Sequence, residues 1–438
     1  MAKQKILFRG MILPMTGKGD FYAHGELAIE DGKILSVGPL GSAPQDWRPD
    51  LIFDKPGLLA MPGLINGHTH AAMTILRSYA DDLPLMEWLQ EKIWPFEAKL
   101  KGDDIYWGTK LALVEMLLSG TTTMVDMYDA MDRVAEATQE SGLRAIISRG
   151  MIGTGAGAAK AMQQSIQLIK DWHGKADGRI TVMLGPHAPY TCPPEYLQEV
   201  IKVSEAYNVG INIHLAETLG EVTDMLRQYG KSPVRLMEEV GLFKRQVVAA
   251  HSVFVDDAEI ELLAKHRVGV VHNPESNMKL SSGVCPVTKM LAAGVKVGIG
   301  TDGASSNNNL DMFGEMRTAS LLQKVNFGST ALPAYETLEL ATVKGAEALG
   351  LQNLGQLYPG FKADVIMLDM HQPHLYPRHD IVAHLVYAAH ASDVQNVIID
   401  GVLVMENRQV LTLDTEKTMQ EVQSRAEDIK QRLAAEVK

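Results

Sequence analysis

The chain has 438 residues with 41 basic and 53 acidic side chains, a formal net charge of -12 at pH 7; this argues against a nucleic-acid partner, which wants a basic face. Hydrophobic residues make up 46% and charged residues 21%, the balance of a soluble globular protein with room for one large domain and a smaller one. The only cysteines, Cys192 and Cys285, exclude a disulfide framework and a C-x-x-C zinc site. MAKQKILFRG lacks a signal-peptide core, and no apolar run reaches membrane-spanning length, so a cytoplasmic protein without membrane contact is expected.

The first 57 residues read as short alternating strands bounded by Gly and Asp turns: KQKILFRGMILP, GELAIEDGKILSVGP and DLIFDKPG. Eight apolar, β-rich runs follow: 58–66, 121–128, 144–150, 180–186, 209–217, 247–253, 268–274 and 296–303. Between them lie segments of helical periodicity such as DIYWGTKLALVEMLLSG, PPEYLQEVIKVSEAY and DDAEIELLAKH. Strands apolar on both faces, alternating with helices, imply a parallel sheet covered by helices; eight such units match a (β/α)8 TIM barrel. An open doubly wound sheet is the alternative, but no G-x-G-x-x-G follows the first strand. FKADVIMLDM and VQNVIIDGVLVMENRQV resume the style of the N-terminus. Each end alone is too short to bury a core, so residues 1–60 and 361–415 are expected to pair into one small β-sandwich beside a barrel of residues 61–360. Residues 416–438 read as an amphipathic, charge-laced helix, solvated along its length.

Within GLINGHTH, His68 and His70 are one residue apart and share a face on an extended strand. Composition alone gives about 0.4 such pairs in a chain of this histidine content, so the pair needs partners. In a barrel, reactive side chains project from the C-terminal ends of the strands. The first strand ends in His68 and His70, the fourth in His187, the fifth in His214 then Glu217, the sixth at His251, the seventh at His272 and the eighth at Asp302. His68, His70, His214 and Asp302 make a donor set for one divalent ion, Zn²⁺ or Fe²⁺ with zinc favoured. Such an ion lowers the pKa of its water toward about 7. Asp302 can accept that water's proton, His251 can aim the oxygen, and Glu217 can act as general acid. His272, in HNPESN, reads as structural. A second ion would want a lysine at the fourth strand, and GPHAPY has none.

PGLINGHTH, HLAET, HNPESNMKLSSG and GTDGASSNNNLDM resemble the amidohydrolase superfamily over nearly the whole chain. In detail they are similar to its 5-methylthioadenosine/S-adenosylhomocysteine deaminases, which remove ammonia hydrolytically from C6 of a purine nucleoside. The resemblance implies that His68, His70, His214 and Asp302 hold the metal and that Glu217 protonates N1 of the purine. It further implies that Asp302 passes the water proton to the leaving amine and that Glu97, in KIWPFEAKL, accepts the ribose hydroxyls. Arg149 and His187 would contact substrate, and Trp88 would stack near the base; its other reading is a core residue. Where S-adenosylhomocysteine-binding members carry a second arginine, this chain reads GTGAGAAKAMQQS, with only Lys160 nearby. A small, uncharged purine nucleoside thioether is therefore the expected partner, with S-adenosylhomocysteine or adenosine secondary. Met73, Met86 and Met151 are candidates to line a thioether pocket. A homo-oligomer is expected from size and fold type. The rivals are the same cluster acting on guanine, cytosine or a triazine, and a silent barrel serving as an assembly module. A cytidine-deaminase zinc site is excluded because PHAPYTCPPEY lacks its second cysteine.

Overall fold

The computed structural model describes residues 3–436; the two residues at each end lie outside it. Strands β1 (Ile6–Ile12), β2 (Tyr22–Glu30), β3 (Lys33–Pro39) and β4 (Leu51–Pro62) form half of an eight-stranded sheet. Its other four strands come from late in the chain. The barrel strands are β5 (Leu64–Thr69), β6 (Thr121–Tyr128), β7 (Arg144–Met151), β8 (Ile180–Val182) with the short β9 (Gly185–Pro186), β10 (Ile211–Leu215), β11 (Val247–His251), β12 (Gly269–His272) and β13 (Lys296–Ile299). Consecutive strands pair in parallel from β5 to β8 and from β10 to β13.

Two seams close the ring. Leu184 bridges Ile211 in parallel, and the Asp302 N–H donates to His68 O at 2.9 Å. Ile65, Val125, Ile146, Val248 and Val271, from five of the strands, pack with Met183 in a single cluster. The barrel-with-helices expectation is met, and the strands are buried on both faces, β6 along its whole length.

The boundary between barrel and sheet differs from the expected one. Residues 58–66 do not form one strand: Leu58–Pro62 stays in the flanking sheet, paired with the later strand Val365–Asp369, and the barrel strand starts at Leu64. The change of sheet falls on Pro62–Gly63. A Cβ on Gly63 would lie 2.2 Å from the Thr122 side chain, so only glycine passes there. Both halves are apolar, which hid the break.

The second half of the flanking sheet is β14 (Val365–Asp369), β15 (Val394–Ile399), β16 (Val402–Glu406) and β17 (Gln409–Val410), in the order β17-β16-β15-β14-β4-β1-β2-β3. It folds over a core of its own built from both ends of the chain, including Phe8, Leu27, Phe53, Val365 and Ile398. The folding brings the β2–β3 turn against the β15–β16 turn. There Gly32 and Gly401 have φ of +78° and +74°, and a Cβ on Gly401 would lie 2.6 Å from Gly32 Cα.

The C-terminal helix, Thr415–Glu436, corrects the reading of a solvated tail. It docks on helix Gly102–Leu118, burying Thr418, Val422 and Ile429. Arg425 meets the buried Asp104 carboxylate at 2.9 Å. The apolar spacing Val422–Ile429 marks the buried stripe. Among the described residues, no helix is long and apolar enough to cross a membrane.

Candidate active site

His68 sits in β5 and His70 one residue past its end, so their rings emerge on the same side at the barrel mouth. Their Nε2 atoms lie 3.5 and 3.3 Å from Asp302 Oδ1. His214, from β10, brings its Nε2 to 3.3 Å from His70 Nε2. One donor atom each from His68, His70 and His214 lies within 4.8 Å of the others, and the same holds for His68, His251 and Asp302. The structure thus brings together the residues that the sequence proposed as ligands.

Their orientation is imposed by main-chain carbonyls. His70 Nδ1 lies 2.5 Å from Met127 O, and His214 Nδ1 lies 2.7 Å from His187 O. A carbonyl only accepts, so each Nδ1 carries the hydrogen and each Nε2 presents a lone pair to the centre. His68 is fully buried, and neither of its ring nitrogens has a hydrogen-bond partner in the protein. Burial pushes its pKa down to about 4, outweighing Asp302, and pushes His214 well below the usual value. Imidazoles whose Nε2 atoms converge, beside a carboxylate, are the donors a divalent cation requires. Burial opposes ionisation of Asp302, but the adjacent imidazoles, His68 first, hold it well below the usual carboxylate range. Its Oδ2 accepts from Ser276 and Ser306 hydroxyls at 2.7 and 3.1 Å, and its Oδ1 from the Gly303 N–H at 2.8 Å.

Several of these groups sit on left-handed backbone: φ is +61° at Asp302, +70° at His251, +46° at Ser252 and +49° at Ala216. Strain of this kind, at non-glycine residues clustered on strand ends, is held only where surrounding contacts over-determine it.

Above the cluster opens a cavity of about 410 Å³. Glu217, beyond the end of β10, reaches into it, its Oε1 accepting from Ser282 Oγ at 3.2 Å and its Oε2 3.9 Å from His251 Nε2. Burial raises the Glu217 pKa, with His251 opposing. Burial works against charge on His251, but the Glu217 and Asp302 carboxylates prevail and raise its pKa. Asn277 Oδ1, 2.8 Å from His251 Nδ1, fixes that ring.

The remaining expected residues also line the cavity: Trp88, Glu97, Arg149 and His187. Trp88 is 5% exposed and donates its indole N–H to Ala80 O at 3.1 Å; it is both wall and core. Glu97 Oε1 accepts from the Tyr128 hydroxyl at 2.6 Å, and burial raises its pKa. His187 Nδ1 lies 3.0 Å from Thr191 Oγ1. Arg149 is bound within the protein: NH2 to Asp129 Oδ1 at 3.0 Å, Nε to Gln164 at 3.1 Å, and NH1 to the Gly150 carbonyl. Lys160 is exposed and stands outside the cavity wall. Of the three methionines, Met73 lines the cavity, Met151 is buried and outside the lining, and Met86 is 45% exposed. The sequence reading missed Met127, Tyr128 and Asp129, which line the cavity at the end of β6. The signal was present, since DMYD closes the second barrel strand just as histidines close the others. His272 is fully buried, and neither ring nitrogen has a hydrogen-bond partner.

Residues 59–404 match the amidohydrolase family. The chain is 57% identical over 423 residues to the 5-methylthioadenosine/S-adenosylhomocysteine deaminase of Pelotomaculum thermopropionicum, covering 96% of this chain and 98% of that one. It is 56% identical to the protein of the same name from Desulfitobacterium hafniense, covering 98% and 100%. The crystal structure of an adenosine deaminase from Xanthomonas campestris with bound zinc superposes with a TM-score of 0.93 at 35% identity, covering 98% of each chain.

Proposed function

The chain belongs to the amidohydrolase family, and from that premise we infer that it is a metal-dependent hydrolytic deaminase of purine nucleosides whose preferred substrate is 5′-methylthioadenosine. One observation carries the reading: four donors, His68, His70, His214 and Asp302, converge beneath a cavity that also holds the Glu217 and Glu97 carboxylates. His68, His70, His214 and Asp302 would hold a divalent cation, zinc in our reading, which would supply Lewis-acid stabilisation and lower the pKa of water toward neutrality.

The protein side chains do the rest. Glu97 accepts the ribose hydroxyls and sets the nucleoside with C6 above the histidines. Glu217, whose burial favours the protonated form, gives its proton to N1 and makes C6 more electrophilic. Asp302 takes one proton of the attacking water and hands it to the departing amine, and the other, left on the C6 oxygen, returns to Glu217, so ammonia leaves and the inosine derivative remains. His251 orients the incoming oxygen, and His187 and Trp88 border the base. The preference for an uncharged tail rests on charge: Arg149 is already paired with Asp129, and the exposed Lys160 stands away from the cavity. A carboxylate-bearing tail finds no free, bidentate guanidinium there.

The test is ammonia release from 5′-methylthioadenosine, adenosine, S-adenosylhomocysteine, guanine and cytosine, with and without a chelator. The expected order begins with 5′-methylthioadenosine, and Glu217→Gln keeps the metal while losing about 10²-fold or more of turnover. Activity on free bases alone, or near-normal turnover in Glu217→Gln, would contradict this assignment.

A further inference from the structure

Glu221 is a buried carboxylate that the reaction above does not use. It lies in the first turn of helix Leu219–Tyr229, whose start is capped by Thr218 Oγ1 accepting from the Glu221 N–H at 3.1 Å. In that position a glutamate ordinarily reaches back to the amide of the capping residue. Here it reaches further, to the two amides before it. Oε1 accepts from the Ala216 N–H at 3.1 Å and Oε2 from the Glu217 N–H at 2.8 Å.

Those amides belong to the turn that aims Glu217. The chain leaves β10 at Leu215 and enters left-handed backbone at Ala216, with φ of +49°. Ala216 O accepts from both the Val253 and Phe254 N–H groups at 3.0 Å, tying the turn to the end of β11. Successive amide N–H groups around a left-handed residue form a small anion-binding concavity. In this protein its own glutamate occupies it. Without that carboxylate two buried N–H groups lose their acceptors, and the strained turn keeps only its tie to the end of β11.

We infer that Glu221 is a positioning residue: its carboxylate clamps the Ala216–Glu217 amides and thereby fixes where the Glu217 carboxyl stands over the substrate. This rests on the reading of Glu217 as the proton donor to N1. Glu221 touches neither the metal donors nor the base, so its loss acts on the chemical step more than on binding.

The experiment is a mutant cycle on the metal-loaded enzyme with 5′-methylthioadenosine. Glu221→Gln keeps the shape but removes one of the two acceptors. It is expected to lower kcat about tenfold or more, the size of one lost charge-assisted hydrogen bond, with KM within about threefold and metal content unchanged. Glu221→Ala removes both acceptors and is expected to lower kcat further; if it does not fold, the Gln variant alone carries the cycle. Added to Glu217→Gln, with the residual rate measured under enzyme excess, Glu221→Gln is expected to cost almost nothing more, because the group it positions is already disabled. Fully multiplicative losses, or a rise in KM in place of a fall in kcat, overturn the inference while leaving the deaminase reading intact. Near-normal turnover in Glu217→Gln alone sinks that reading and, with it, the role given to Glu221.

Discussion

His70 Nε2 and His214 Nε2 face each other across 3.3 Å while the opposite nitrogen of each ring is bonded to a main-chain carbonyl. Two lone pairs at that distance repel unless something positive lies between them. The same scaffold that orients the rings thus presents both nitrogens to a cation, and loading is expected to stabilise the fold. Removing the ion with a chelator is expected to lower the melting temperature and abolish ammonia release, with zinc restoring both. At an ion concentration a thousandfold above Kd, the stabilisation amounts to about 4 kcal/mol. Calorimetry alongside metal analysis checks this; a melting temperature indifferent to chelation, in a protein that purifies without metal, would refute it.

Glu97 and Tyr128 give a second prediction. The Tyr128 hydroxyl donates to Glu97 Oε1 at 2.6 Å in a half-buried part of the cavity wall, which fixes the carboxylate while its other oxygen stays outside that bond. Replacing Glu97 by Gln removes a charged acceptor for the ribose hydroxyls. The expected cost is roughly 10- to 150-fold in kcat/KM for nucleosides, corresponding to about 1.5–3 kcal/mol for a hydrogen bond to a charged group. Inhibition by free adenine, which has no ribose, is expected to stay as it was. Equal losses for nucleoside and free base would mean that Glu97 does not read the sugar.

What could be read from the chain follows from how local each signal is. His68 and His70 are legible because a strand repeats every two residues, and the register of His214, His251 and Asp302 with later strand ends follows from the barrel rule. Asn277, Ser276 and Ser282, which orient His251, Asp302 and Glu217, come from a segment whose approach only the tertiary fold decides. Glu97 was placed by family likeness alone, because nothing in KIWPFEAKL announces a sugar contact. The split of residues 58–66 between two sheets was hidden since both pieces are apolar and extended. The docking of the C-terminal helix was masked by its many charges, though its apolar spacing was there to see.

Glu221 also makes the stability of the protein depend on pH in a way that can be isolated. Burial raises its pKa from 4.5 to about 7, with the Ala216 and Glu217 amides opposing. The sign follows directly. Between these values the folded protein holds a proton that the unfolded chain has released, so this group's contribution to stability falls as pH rises from about 4.5 to about 7. Glu221→Gln cannot titrate. Its stability is offset by the lost acceptor, but the offset should shrink steadily across that window and level off above it. Denaturant unfolding of both proteins at pH 5 and pH 8 measures the slope; parallel curves would show that Glu221 is ionised throughout.

At the other end of the barrel, Arg144 opens β7 and forms a two-pronged ion pair with Asp364, Nε to Oδ2 at 2.9 Å and NH2 to Oδ1 at 3.0 Å. Asp364 stands just before β14, and its carbonyl accepts from the Gly63 N–H at the point where the chain passes from sheet to barrel. Both side chains are almost wholly buried, and Asp364 Oδ1 also accepts from the Asp400 N–H at 2.8 Å. Arg144→Met leaves that carboxylate buried without its cation, which is expected to cost about 3–5 kcal/mol. Arg144→Met combined with Asp364→Leu is expected to recover part of the loss, because the Asp364 charge is no longer stranded, although Asp400 loses its amide's acceptor and the Arg144 NH2 that lies 3.6 Å from its carboxylate, keeping Lys3 as its partner. The pair lies at the N-terminal ends of the strands, away from the histidines at the C-terminal ends. Below the new melting temperature, kcat of the folded, metal-loaded variant should therefore match wild type. A fall in kcat without a fall in stability would reveal coupling across the barrel that this geometry does not provide.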